Sequence, residues 1–273
     1  LKKRVVEIVV ISDVHLGTYG CHAKELLHYL STIKPKTLIL NGDIVDIWQF
    51  RKSYFPVTHL KVLKKIIALS TKGTEVFYLT GNHDELLRKF TDLKIGNMSL
   101  LDKLILEIDG KRAWIFHGDV FDASITHAKW LAKLGGWGYD MLILINRFLN
   151  WVLMKFNKPP YSLSKRIKQN VKSAVKFISN FENICTDLAI ENEFDYVLCG
   201  HIHEPKMEQV TNEKGSTMYL NSGDWIENLT ALEYNKKEWK MYKYSEHDNP
   251  VFPEDEDLKE SQLAQTFFSM IKK

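Results

Sequence analysis

Val5-Val6-Glu7-Ile8-Val9-Val10-Ile11-Ser12-Asp13-Val14-His15 is the stretch on which the reading of this chain turns. Its first part is a β-branched run and reads as a strand. The run ends at a carboxylate and an imidazole two residues apart. At a strand end their side chains point the same way, so one oxygen and one nitrogen can grip a single metal ion. The same device recurs further along. Thr37–Asn41 leads into Gly42-Asp43-Ile44-Val45-Asp46, and Glu75–Thr80 into Gly81-Asn82-His83-Asp84. Arg112–His117 opens His117-Gly118-Asp119, and Tyr196–Cys199 leads into Gly200-His201-Ile202-His203.

Between the first strands lie helical patterns. Ala23–Ile33 has helical apolar spacing through Leu26, Leu27 and Leu30, and His59–Ser70 is amphipathic. Strand and helix in alternation imply parallel βαβ units, hence an α/β class. Ligand sites of open α/β sheets lie at the carboxyl ends of the strands, so motifs distant in sequence can converge there. The spacings of 28, 39 and 35 residues from His15 to Asp43, Asn82 and His117 in turn each suit about one crossover. From His117 to His201 the gap is 84 residues, which points to an insertion over about 120–192. It reads as helical, with candidates at Asp122–Leu134, Tyr139–Phe156 and Ser162–Ala189, the last opened by a Ser cap. Short antiparallel strands are expected at Lys206–Thr211, Ser216–Asn221, Leu229–Tyr234 and Trp239–Tyr244. The domain thus spans 1–245. Residues 246–273 form a tail with an acidic Pro253-Glu254-Asp255-Glu256-Asp257 run and a terminal helical pattern at Ser261–Ile271.

Composition narrows the function classes. A chain of 273 residues, 45% hydrophobic and 26% charged, is long enough for a sizeable core. A net charge of +3 gives no global signature of a nucleic-acid binder. Cys21, Cys185 and Cys199 are scattered, without CxxC spacing, which argues against a disulfide framework or thiolate zinc site and for a reducing compartment. Leu1-Lys2-Lys3-Arg4 runs straight into the first strand, with no secretory core in between. The most apolar segment, Leu142–Phe156, is interrupted by Asn146, Arg147 and Asn150 and falls short of the ~20 residues of a membrane span. A cytoplasmic protein is the expectation.

The donor set is oxygen and nitrogen, suited to Mn, Fe, Zn or Mg. Taken singly each motif is an ordinary turn or cap. In order, each at a strand exit, they specify a two-metal centre. The Asp43 carboxylate has two oxygens and can bridge two cations. Asn82 offers a neutral amide oxygen, and the Gly81-Asn82-His83-Asp84 turn also suits a cap before Glu85–Phe90. His83 beside it is free to act on substrate, with Asp84 placed to hold its second ring nitrogen. His201 and His203, two residues apart, can face one way and serve both metals.

The set DxH, GDxxD, GNHD, His-Gly and GHxH resembles the calcineurin-like metallophosphoesterase superfamily over roughly residues 5–245. The resemblance implies a four-layer αββα sandwich with the helical insertion as a cap. It implies one metal held by Asp13, His15, Asp43 and His203 and a second by Asp43, Asn82, His117 and His201, with Asp43 bridging. Such a pair clamps phosphoryl oxygens and activates a water for in-line attack. His83 would then stabilise charge or protonate the leaving oxygen. Within the superfamily the chain is most similar to the UDP-2,3-diacylglucosamine pyrophosphohydrolases of bacterial lipid A synthesis. That similarity rests on Gly42–Trp48, His117-Gly118-Asp119, the insertion and Asn221-Ser222-Gly223-Asp224-Trp225. It implies a nucleotide-linked lipid as substrate, UMP as product, Mn²⁺ as metal and peripheral contact with the inner face of a membrane through the cap. The apolar Tyr139–Phe156 and the lysine face Lys165, Lys168, Lys172 and Lys176 suit that contact. One position departs: that family usually carries Arg where this chain has His83. Arg is a poor proton donor and suits a phosphate leaving group, whereas His can protonate an alkoxide. A broad phosphodiesterase or a nuclease of the same fold is therefore the competing enzyme reading, and a metal-free scaffold the competing reading from another class.

Overall fold

The computed structural model describes residues 3–47, 54–124 and 172–245. The expected helices at Asp122–Leu134 and Tyr139–Phe156, the lysine face and the acidic tail lie outside the described residues and side chains. Among the described residues, twelve strands form two sheets. A seven-stranded sheet runs in the order Glu238–Lys243, Thr230–Asn235, Arg4–Ile11, Ile33–Asn41, Glu75–Leu79, Met98–Leu101, Lys94–Ile95, and a five-stranded sheet in the order Lys103–Ile108, Lys111–Phe116, Tyr196–Cys199, Gly215–Asn221, Lys206–Asn212. In the first sheet, β1 (Arg4–Ile11), β2 (Ile33–Asn41) and β3 (Glu75–Leu79) run parallel, joined by α1 (Ala23–Thr32) and α2 (Val57–Thr71). These are the βαβ units that the alternation predicts.

Layering follows from the two faces of each strand. On β2, Leu38 and Leu40 meet Leu26 and Leu30 of α1 and Val62 and Ile66 of α2. Ile39, between them, faces the other way, towards Ile115 of β7 (Lys111–Phe116), Leu198 of β8 (Tyr196–Cys199) and Leu220 of β10 (Gly215–Asn221). The outer face of that second sheet, with Phe116, Val197, Cys199 and Tyr219, packs on Phe181, Cys185 and Ala189 of α3 (Lys172–Glu191). Helices, sheet, sheet and helix give the αββα sandwich.

One spacing argument is corrected. The gap from Asn82 to His117 holds no α-helical crossover. After a 3₁₀ turn at Glu85–Phe90 the chain makes β4 (Lys94–Ile95) and β5 (Met98–Leu101), then crosses to the second sheet as β6 (Lys103–Ile108), antiparallel to β7. Length alone did not reveal a segment that changes sheets. At the far end of the expected insertion, buried Phe181, Cys185 and Ala189 make α3 an outer layer of the sandwich. The remaining strands, β9 (Lys206–Asn212), β10, β11 (Thr230–Asn235) and β12 (Glu238–Lys243), fall where their alternation predicts. No described helix is long and apolar enough to cross a membrane.

Candidate metal centre

All five motifs leave the carboxyl ends of strands β1, β2, β3, β7 and β8. The loops after β1 and β2 stay zipped together: Asp13 N–H donates to Gly42 O, His15 N–H to Asp43 O and Leu16 N–H to Ile44 O at 3.1, 2.9 and 2.9 Å. The second sheet is joined at the same edge. Asn41 Nδ2 donates to Phe116 O at 3.1 Å, and His201 N–H donates to Asp13 Oδ2 at 3.0 Å. The site therefore straddles both sheets.

Asp43 is at its centre. Its Oδ2 lies 3.3 Å from His117 Nε2, 3.9 Å from His15 Nε2 and 4.0 Å from His83 Nε2. Its Oδ1 accepts the His83 N–H at 2.8 Å. Asp13 Oδ1 lies 3.2 Å from His203 Nε2. Ligand atoms of Asp13, His15 and His203 come within 4.8 Å of one another, as do those of Asp13, Asp43 and His117 and those of His15, Asp43 and His83. The His201 ring stands 5.2 Å from that of His117. His15 Nε2, His117 Nε2 and Asn82 Oδ1 are buried without a hydrogen-bond partner. Such orphaned atoms are costly unless something binds them. Imidazole, carboxylate and amide donors so gathered fit hard or borderline divalent cations.

The backbone accommodates this crowding by unusual means. Asp13, His15, Asp43, His201 and His203 all have positive φ, between 52° and 66°. Asp and His tolerate the left-handed region better than most side chains. A Cβ at Gly81 would collide with Asp43, and one at Gly200 would come within 2.6 Å of Asp13 Oδ2. Those glycines let the ligands approach the main chain.

Carboxylates outside the expected ligand set orient the rings. Asp46 Oδ2 lies 2.8 Å from His83 Nδ1 and 3.2 Å from His15 Nδ1, which turns both Nε2 atoms towards Asp43. The expected Asp84 partner of His83 is thereby corrected. Asp84 instead accepts from Gly81 N–H at 2.6 Å, Tyr78 OH at 2.6 Å and Ile44 N–H at 3.0 Å, and so holds the loop. His117 Nδ1 is 2.9 Å from Asn41 O, and His203 Nδ1 is 3.2 Å from Asp224 Oδ2. Asp46 and Asp224 were within quoted motifs, but nothing in their spacing assigned them a ring. Burial disfavours charge on His117, yet Asp43 outweighs it and holds the ring well above the ordinary histidine value. His203 is likewise raised, to about 10, as Asp13 and Asp224 overcome its burial. Burial favours neutral His83 too, and Asp46 with Asp43 raises it nonetheless.

A buried carboxylate ringed by imidazoles, on a two-sheet sandwich, is the apparatus of a metal-dependent phosphoesterase. The sequence model of the calcineurin-like phosphoesterase family matches residues 6–205, and the chain belongs to that family. It is a hydrolase of phosphoester bonds. Among curated proteins it is similar to the UDP-2,3-diacylglucosamine hydrolase of Blochmanniella pennsylvanica (strain BPEN), 26% identical over 246 residues, which are 85% of this chain and 93% of the relative. The enzyme of the same name from Aliivibrio fischeri (strain MJ11) is 26% identical over 250 residues, 86% of this chain and 98% of the relative. Among solved structures, a phosphoesterase from E. coli, Yfce, aligns with TM-score 0.42 and 15% identity, covering 84% of this chain and 88% of its own.

Proposed function

We propose that this chain hydrolyses the diphosphate of UDP-2,3-diacylglucosamine, or of a similar nucleotide-linked lipid, and releases UMP. The names of the relatives, aligned over most of both chains, support that substrate. The observation that carries the chemistry is the Asp43 carboxylate between His15, His83 and His117, where one side chain can serve two cations. Asp13, His15, Asp43 and His203 would hold one cation, and Asp43, Asn82, His117 and His201 the other. Mn²⁺ is the first choice, with Fe, Zn or Mg as alternatives. When bound, the pair supplies Lewis-acid polarisation and a nucleophilic water at neutral pH. The protein supplies the rest. Asp46 keeps His83 oriented with Nε2 towards the centre, placed to stabilise or protonate the leaving oxygen. Asp84 acts at one remove, by fixing the loop that carries Asn82 and His83. The apolar Tyr139–Phe156 segment is assigned to acyl chains and peripheral membrane contact.

The test is UMP release from UDP-2,3-diacylglucosamine by purified protein with Mn²⁺, set against hydrolysis of bis-p-nitrophenyl phosphate. Turnover far higher on the lipid is expected. His83 favours a second reading, since an imidazole can protonate an alkoxide: cleavage of phosphodiesters beyond diphosphates. Fast diester cleavage that disappears in His83→Arg, with no turnover of the lipid, would replace the first reading with this one.

A further inference from the structure

We propose that Asp224 is a positioning residue for one of the two cations: it fixes the tautomer of His203 and so sets the affinity of the cation shared with Asp13. The inference rests on the dinuclear reading above and goes beyond it by separating the two metals.

Asp224 lies in the loop between β10 and β11 and is 1% exposed. Its Oδ1 accepts three successive backbone N–H groups, from Ile226, Glu227 and Asn228, at 3.1, 2.7 and 2.9 Å. Its Oδ2 accepts from Asn228 Nδ2 at 3.3 Å and faces His203 Nδ1 at 3.2 Å. Asn228 Nδ2 also donates to His203 O at 2.8 Å, so one loop grips that histidine by ring and by backbone. With a cation on the other ring nitrogen, a carboxylate at that distance favours the tautomer that carries its proton on Nδ1. The nitrogen left for a cation is Nε2, which faces Asp13 Oδ1 at 3.2 Å. The same loop holds the other ligand: Trp225 N–H donates to Asp13 O at 3.1 Å, and the Ser222 and Ser12 hydroxyls share a hydrogen bond of 2.7 Å. First and last motif are thus clipped together by a segment that belongs to neither. Ring-orienting carboxylates of this kind typically change metal affinity by about 10–100-fold when altered.

Asp224→Asn separates tautomer from fold. The amide oxygen can still accept the three backbone N–H groups, while its NH₂ beside His203 Nδ1 drives the ring hydrogen to Nε2. Mn²⁺ binding is measured by titration calorimetry and by metal content after desalting, with UMP release as a second readout. The wild-type chain is expected to hold two Mn²⁺, and Asp224→Asn to hold one at unchanged affinity and a second weakened about 10–100-fold. Thr230→Val is the control, since the Thr230 hydroxyl closes the same loop on Ser222 O at 2.7 Å without touching His203. Two tightly bound Mn²⁺ in Asp224→Asn, or the same single loss in Thr230→Val, overturns the proposal. A wild-type chain that binds no Mn²⁺ removes the dinuclear reading and this inference with it.

Discussion

Several of the expected ligands are held by residues outside the expected ligand set. Gly81 is the sharpest case, because its missing Cβ is the space that the Asp43 carboxylate occupies. Gly81→Ala should therefore cost most of the activity while the chain stays folded, as hydrolysis assays and circular dichroism together will show. Asp43→Ala should abolish hydrolysis and lower the content of both metals, measured by elemental analysis; retained activity would remove Asp43 from the centre. Proton competition gives a third expectation. With His203 raised to about 10 and His117 held well above the ordinary histidine value by Asp43, cation uptake must compete with protons on these rings. Mn²⁺ affinity should rise from pH 6 to pH 8, with proton release detectable by calorimetry in buffers of different ionisation enthalpy. The candidate donors stand out in sequence because metal chemistry restricts residue type, and several of them lie together in the fold. The partners of their second nitrogens do not stand out. Asp46 serves His83 although Asp84 is its neighbour in the chain, because a loop folds back rather than along.

At the scale of elements, the β-branched strands and the two helices between them were readable from periodicity, since each buries a continuous face. The segment from Lys94 to Ile108 was not, because two short strands either side of Asp102 serve different sheets. Helix α3 was readable as a helix but not as part of the sandwich: its apolar face looks the same whether a cap or a sheet covers it. Phe181 decides the matter, being fully buried and set against Gly118, where a Cβ would come within 2.6 Å of its ring. Phe181→Ala should lower stability by about 3–5 kcal/mol in denaturant unfolding. It should also lower metal content, since the emptied space lies beneath the His117 loop.

Over the whole molecule, the site belongs to neither sheet alone. Asp13, His15 and Asp43 leave the larger sheet, and His117, His201 and His203 leave the smaller. Cations bound between them would cross-link the two, and stripping them with EDTA should lower the melting temperature. A cation at a hundred times its dissociation constant adds about 2.7 kcal/mol, or roughly 5–10 °C for a chain of this size. Readdition of Mn²⁺ should restore it. The placement of β11 has a consequence for how the protein is made. Its residues Leu232–Tyr234 pair with Val10–Ile8 of β1, next to the first motif, and the loop that grips His203 comes only just before them. A chain emerging from the ribosome therefore carries its first strand with an open edge until almost all of the domain has been synthesised. The cation assigned to Asp13 and His203 should therefore bind at full affinity only once that last hairpin docks, which ties its loading to completion of the fold.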